Sequence, residues 1–401
     1  MLSHNALILI FTRIIRLFAY GFFSVILVLF LAEIGLSLTE IGLLITLTLV
    51  GDTAISLWLT TRADRIGRRY MLIIGSFLMI LAGIVFCFTQ NYFLLLFASI
   101  VGVISPTGNE VGPFLSIEQA ALTQITPNEK RTWYFAWYNL AGAFAISFGS
   151  LAVGGFVQFL QSMGASSLTS YEMVFLIYAV LGGCMGLLFL CLSPAVEVEI
   201  PKIKLSLGLH RSKKRVLGLS ALFALDAFGS GFIMQSIVAY WFYLKFEVEP
   251  ATLGAIFFGA NFLAGLSSLA ASWLAKRYGL LNTMVFTHIP SNILLILVPF
   301  MPTLELAIIV LFLRFSISQM DVPTRQSYLM AVVDENERSA AGGISGVARS
   351  VGGSIAPILS SPLLAYPMLM NLPFLIAGGL KIVYDFILYY LFRSLKPPEE
   401  V

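Results

Sequence analysis

Long apolar stretches separated by brief polar ones dominate this chain, and their length is that of membrane helices. Apolar runs recur at about 7–32, 39–60, 70–90, 92–122, 133–160 and 171–193, then at about 217–244, 251–275, 283–301, 303–330, 338–365 and 370–393. Each is close to, or longer than, the roughly 20 residues a helix needs to cross a bilayer. Hydrocarbon offers no water to backbone N–H and C=O groups, so runs of this kind satisfy them internally as helices. The pattern predicts an all-α polytopic membrane protein of twelve transmembrane helices. The first run, from about Ala6 to Ala32, exceeds a signal-peptide core and has no cleavage site before the next run, so it is read as a retained span.

The polar segments carry the organisation. Pro194 to Val216 is the one real linker, with Lys202, Lys204, Arg211, Lys213, Lys214 and Arg215 set against Glu197 and Glu199. It predicts an N-terminal bundle over 1–193, a basic linker over 194–216 and a C-terminal bundle over 217–401. The halves also repeat one another. Asn128-Glu129-Lys130-Arg131-Thr132 echoes Glu335-Asn336-Glu337-Arg338-Ser339, and Ile117-Glu118-Gln119 echoes Thr324-Arg325-Gln326, both at an offset of 207 residues. Ala19-Tyr20-Gly21 against Ala227-Phe228-Gly229 gives 208. Offsets agreeing this closely point to a duplicated six-span unit, and so to two pseudo-symmetric bundles.

Charge sets the topology. Arg62, Arg65, Arg68, Arg69, Lys130, Arg131, the linker cations, Lys276, Arg277 and Arg338 all fall in loops on one side, whereas the other side receives Lys245 beside Glu247 and Glu249. Basic short loops stay cytoplasmic, which places both termini there; the cell (plasma or inner) membrane is the expected location. Only 11% of the 401 residues are charged and 58% are hydrophobic, so most of the surface faces lipid or neighbouring helices. A net charge of +3 gives no reason to expect a nucleic acid partner. Cys87, Cys184 and Cys191 lie inside apolar runs and form neither a disulfide framework nor a metal-ligand spacing.

Arg62 to Arg69, reading Arg-Ala-Asp-Arg-Ile-Gly-Arg-Arg, is the densest charge cluster, and Leu274-Ala-Lys-Arg-Tyr-Gly279 is its counterpart at an offset of 212. Asp-Arg-x-Gly-Arg-Arg between the second and third spans resembles the loop signature of the major facilitator superfamily. Thr60 stands where that signature has glycine, Arg62 where it has an aliphatic residue, and Lys276 replaces the aspartate in the second copy. Ala98 replaces the arginine that the span-four motif places ahead of Gly102, and Gly149, Gly154 and Gly155 lack the proline of the drug–proton antiporter signature. The resemblance implies two six-span repeats with the substrate near the midplane. It implies further that spans one, four, seven and ten line a cavity. In the loop it implies a conformational role, with Asp64 latching to the start of span eleven and Arg68 to an acid such as Glu118; Arg65 and Gly67 complete the motif. The other reading is that these arginines only enforce topology.

Charges inside spans are the candidate chemistry, because an unpaired one at the bilayer centre costs about 2.5–3.5 kcal/mol on insertion scales. Arg314, Ser318, Asp321 and Arg325 fall on one stripe of span ten, either a cavity wall or a self-neutralising seam, with Pro323 liable to disturb the Asp321–Arg325 register. Span four holds Pro106, Gly108, Asn109, Glu110, Gly112 and Pro113, a broken helix in which Glu110 can carry a proton or pair with a neighbouring base. Glu118 aligns with Arg325 across the repeat, which invites a bridge between the halves at a cytoplasmic gate with Arg131 and Arg338. Asp226 is an isolated acid, a bridge partner for Arg16 or a titrating site. Asp52 and Arg349 are lone charges at similar depth; Arg349, with Ser345 one turn before it, can bind an anionic group or pair with Glu110 or Asp226. Lys381 and Asp385 read as an i, i+4 pair, His288 as a satisfied core histidine, and Trp133, Tyr134, Trp137 and Tyr138 as an interface belt.

A membrane enzyme needs a nucleophile or metal constellation that three scattered histidines do not supply, and a sensor on this scaffold usually carries an appended soluble domain. The expectation is a monomeric, non-enzymatic secondary transporter of a small organic solute working by alternating access. It is expected to use the proton as coupling ion and no cofactor, with export ahead of facilitative or symport uptake. Asp52, Asn109, Glu110, Asp226, Arg314, Asp321 and Arg349 are the substrate or coupling candidates.

Overall fold

The computed structural model describes residues 4–110, 112–126, 131–197, 212–334 and 337–395. Fifteen α-helices account for the twelve apolar runs. Three of those spans are broken within themselves. The first half comprises α1 (His4–Glu33), α2 (Leu38–Ile66), α3 (Arg68–Phe88), α4 (Tyr92–Val101), α5 (Phe114–Ile125), α6 (Arg131–Ser162) and α7 (Ser167–Leu190). The second comprises α8 (Lys213–Gly231), α9 (Gln235–Phe246), α10 (Pro250–Tyr278), α11 (Leu280–Leu297), α12 (Leu304–Ser318), α13 (Asp321–Ala331), α14 (Arg338–Leu363) and α15 (Leu372–Phe392).

Among the described residues ten segments are long and apolar enough to cross a membrane. The other two spans fall short for local reasons. Span four is cut into α4 and α5, and α14 is diluted by glycine, serine and two arginines. The twelve-helix architecture is the one the hydropathy pattern predicts.

Local chemistry starts and stops the helices. Ser37 and Glu40 form a reciprocal capping box on α2, with the Ser37 amide donating to Glu40 Oε2 at 2.8 Å and the Glu40 amide to Ser37 Oγ at 3.3 Å. Asn91, Ser166 and Thr303 cap α4, α7 and α12. Gly67, at φ 124°, takes a backbone conformation closed to other residues and turns α2 directly into α3.

The broken spans are four, seven and ten, interrupted at 102–113, 232–234 and 319–320. Breaks release backbone groups that must find new partners. In span four, Tyr178 donates its hydroxyl to the Val103 carbonyl, the Ser236 amide donates to the Pro106 carbonyl at 3.2 Å, and Ser105 donates to the Asn109 carbonyl at 2.7 Å. In span ten the Gln319 amide donates to Ser267 Oγ at 3.2 Å.

The chain divides into two compact units, Met1–Ile203 with Gln235–Phe258, and Lys204–Met234 with Gly259–Val401. The division after residue 203 falls inside the 194–216 stretch. The α9 segment groups with the first unit because Gln235 donates to Ser24 Oγ at 2.9 Å and Gly254 packs on the Ser150 carbonyl. In the first unit α1 and α6 touch backbone to backbone: a Cβ on Gly149 would lie 2.1 Å from the Phe18 carbonyl oxygen. In the second, α8 and α14 do the same, with a Cβ on Gly352 falling 2.3 Å from the Ala224 carbonyl oxygen. Small residues allow helices to approach this closely in lipid. The duplication seen in sequence thus reappears as the same packing device on spans one and five and on spans seven and eleven.

Candidate functional site

Each unit encloses a network of charges at membrane depth. In the first unit, Arg13 and Arg16 project from one face of α1 because they lie three residues apart. Glu110 comes from the irregular stretch between α4 and α5, and Glu118 from α5. Glu110 is shared: Arg13 Nη1 donates to its Oε2 at 2.8 Å and Arg16 Nε to its Oε1 at 2.7 Å. Arg16 also grips Glu118 with two parallel bonds of 2.7 and 2.8 Å. Thr12 Oγ1 adds a bond to Glu118 at 3.1 Å, and Tyr138 donates its hydroxyl to the same carboxylate. The Arg13 guanidinium lies 4.0 Å from the Tyr138 ring centroid and that of Arg16 4.7 Å from Phe114. Two cations and two anions cancel. The Arg16 and Glu118 side chains are fully buried, whereas Glu110 keeps 15% of its side chain accessible. Asn109, beside it, is exposed.

The second unit gathers a larger network around Asp226 on α8. Lys381 Nζ of α15 donates to Asp226 Oδ1 at 2.7 Å, while Arg325 Nη1 of α13 and Arg349 Nη1 of α14 each reach Oδ2 at 3.2 Å. Arg325 holds Asp321 as well, at 2.9 Å, so the proline between them leaves the i, i+4 register intact. His288 of α11 sits between two acids, with Nδ1 at 2.9 Å from Asp385 Oδ1 and Nε2 at 3.8 Å from Asp226 Oδ1. Asn292 donates to Asp385 Oδ2 at 3.3 Å. Arg349 is the exposed corner, with 32% of its side chain accessible against 7% for Arg325 and Lys381.

Several expected pairings fall differently. Lys381 and Asp385 do not pair with each other, because successive turns of α15 face different neighbours: Lys381 reaches α8 and Asp385 reaches α11. Arg16, offered as the partner of Asp226, is saturated by Glu110 and Glu118. Glu118 and Arg325, offered as a bridge, are each engaged within their own unit. Tyr138 is a buried ligand of Glu118 rather than part of an interface belt, whereas Trp137 is exposed. Ser345 Oγ pairs with Ser220 Oγ at 2.9 Å.

The Arg62–Arg69 loop has its own counter-ion, which the sequence did not signal. Glu197, just past α7, accepts from the Arg68 amide at 2.7 Å and the Arg69 amide at 3.1 Å, so a carboxylate sits on the N-terminus of α3. Arg68 does not reach Glu118; its Nη1 donates to Gln124 Oε1 at 2.8 Å and to the Val196 carbonyl at 3.2 Å. Arg65 is exposed. Arg338 is exposed too, donating from Nε to the Met330 carbonyl at 3.0 Å, and with Lys276 it lines a cleft of about 870 Å³ at the second loop copy. The side chains of Asp64, Arg131 and Trp133, the loop residues 128–130 and 335–336, and linker residues 198–211 lie outside the described residues.

Among the described residues the charged candidates Asp52 and Arg314 have no ion-pair partner. Asp52 Oδ1 and Ser56 Oγ, one turn apart on α2, are buried without a hydrogen bond, as are Arg314 Nε and Ser318 Oγ, one turn apart on α12.

Twelve spans, of which four, seven and ten are broken, with a buried charge network in each unit, define an integral multi-pass membrane protein with a transporter fold. The model of the Major Facilitator Superfamily matches residues 9–357 and 219–401, and the chain belongs to that superfamily of carriers. It is 32% identical to the uncharacterized membrane protein YJR124C of Saccharomyces cerevisiae over 95% of this chain and 92% of that one. It is 21% identical to the quinolone resistance protein NorA of Staphylococcus aureus, over 90% of each chain. Among solved structures, the nucleoside transporter NupG superposes with a TM-score of 0.74 at 14% identity, covering 98% of this chain and 100% of that one. A D-xylose–proton symporter gives 0.73 at 15% identity, covering 98% of each chain. At such identities the two structures establish the fold alone.

Proposed function

We propose that this carrier moves a small organic solute by alternating access, coupled to protons and in the export direction, with Glu110 as the coupling carboxylate. Its two six-span halves, 1–193 and 217–401, are the moving parts of a monomer. The excess of Lys and Arg on one side supports an orientation with both termini in the cytoplasm, and the reading places the carrier in the cell membrane. The 21% likeness to NorA supports export over uptake.

The observation that carries the reading is the position of Glu110. It lies in the break of span four, partly accessible, and is held by both Arg13 and Arg16. A proton on Glu110 neutralises the acceptor of two guanidinium groups and frees α1 from the break, so protonation and helix movement are linked. Asp226, enclosed by three cations, acts as a fixed counter-ion.

The test is proton release in weakly buffered detergent on adding candidate solutes, for the wild type, Glu110→Gln and Asp226→Asn. Release in the wild type that vanishes in Glu110→Gln, while solute still raises the melting temperature of both, is the expected result. Binding without release in the wild type makes the protein a facilitative carrier and Glu110 a structural bridge. An imposed proton gradient in proteoliposomes reads direction: solute moving against the protons is antiport, and with them symport.

A further inference from the structure

Within the spans of the second unit the acids and bases do not pair off one to one. Asp226, Asp321 and Asp385 supply three negative charges within its spans, while Arg325, Arg349 and Lys381 supply three positive ones, each within 3.2 Å of Asp226. Arg314 is a fourth cation. Its residue is 9% exposed, and among the described residues no carboxylate lies within ion-pair distance of it. The acid nearest along the helix, Asp321, is committed to Arg325 at 2.9 Å. Among the described residues Arg314 Nε has no hydrogen-bond partner, and its guanidinium carbon lies 4.7 Å from the Phe315 ring centroid. One turn on, Ser318 Oγ is equally buried and equally without a partner.

A buried guanidinium is normally paired, because removing it from water without a counter-charge costs several kcal/mol. Here the Arg314 Nε donor and the Ser318 hydroxyl stand one turn apart on α12, next to the break at Gln319, and neither has a hydrogen-bond partner among the described residues. The transporter reading gives a reason for such an arrangement: the missing charge arrives with the cargo.

Resting on that reading, we propose that Arg314 and Ser318 form the subsite for the anionic group of the transported solute, which makes the cargo an organic anion, a carboxylate or a phosphate ester. Arg314 takes the two anionic oxygens through its planar fork, and Ser318 donates a further hydrogen bond to one of them. Arg349 does not compete for this role, since its guanidinium is already spent on Asp226.

The experiment uses the purified full-length chain in detergent and pairs of solutes sharing one skeleton: benzoate with benzamide, succinate with succinamide, and a hexose 6-phosphate with the free hexose. Melting temperature and affinity are read for wild type, Arg314→Lys, Arg314→Gln and Ser318→Ala. The inference expects at least one anion to stabilise the wild type more than its neutral twin. Arg314→Gln should lose that preference, Arg314→Lys should weaken it by about tenfold through loss of the fork, and Ser318→Ala by several-fold. It also expects Arg314→Gln without solute to melt no lower than the wild type, because an unpaired buried charge has been removed.

An anion preference that survives in Arg314→Gln overturns the assignment. So does a panel in which no anion outperforms its neutral twin, or an Arg314→Gln protein that melts well below the wild type, which marks Arg314 as a structural residue. A neutral solute carried equally by wild type and Arg314→Gln in proteoliposomes overturns the anion subsite while leaving the carrier reading intact.

Discussion

Glu118→Gln probes the first charge network at its most enclosed point. The substitution keeps the volume and one acceptor but removes the charge facing Arg16, which binds it at 2.7 and 2.8 Å with no solvent access on either side chain. Breaking a buried pair from one side costs about 3–5 kcal/mol, because the other charge stays behind uncompensated. Glu110 still neutralises Arg16 in part, and the amide oxygen still accepts one bond, so the lower end, about 3 kcal/mol, is expected. At roughly 2–4 °C per kcal/mol for a unit of this size, the melting temperature falls by about 6–12 °C. Removing the outer bond alone, by Thr12→Val, costs about 1 kcal/mol. The decisive assay is the double variant Arg16→Gln/Glu118→Gln, measured by thermal or detergent-induced unfolding with both single variants. If the pair acts as described, the double variant is distinctly less destabilised than the sum of the singles. Additive effects, or a Glu118→Gln loss below about 1 kcal/mol, refute the coupling.

In the second network the direction of asymmetry is testable: Asp226→Asn strands three cations, whereas Lys381→Met leaves Asp226 with two, so unfolding should show the aspartate variant losing more, by about 2 kcal/mol. Gly352→Ala forces a methyl against the Ala224 carbonyl of α8, and about 1–3 kcal/mol of stability should be lost, with little loss for alanine at Gly155, where nothing lies within 4 Å. Glu197→Ala removes the acceptor for the Arg68 and Arg69 amides; a loss of about 1 kcal/mol and faster proteolysis at the α2–α3 loop are expected, with unchanged proteolysis arguing against Glu197 as the cap.

The number of spans and their approximate ends were legible along the chain. Hydropathy is a property of each segment by itself, and a backbone in hydrocarbon has one economical fold. The break in span four was announced too, by Pro106, Gly108, Gly112 and Pro113, whereas in span ten Pro323 left the Asp321–Arg325 register intact and the break fell before it, at 319–320. Partner choice was legible for Asp321 with Arg325, one turn apart, and as one of two options for Arg349 with Asp226, but not for most pairs between helices. Asp226 meets Lys381 across 155 positions, and Arg16 meets Glu118 across 102. Which cation reaches which acid depends on the helices that happen to be neighbours and on the face each turns inward. Sequence spacing therefore favoured Lys381 with Asp385, one turn apart on α15, whereas packing sent one to α8 and the other to α11. His288 read as an ordinary core residue until two acids from different helices were placed on either side of it. The sequence by itself determined how many charges lie in the membrane; only the tertiary structure decided which are cancelled, because cancellation is a matter of a few ångströms between helices far apart in the chain.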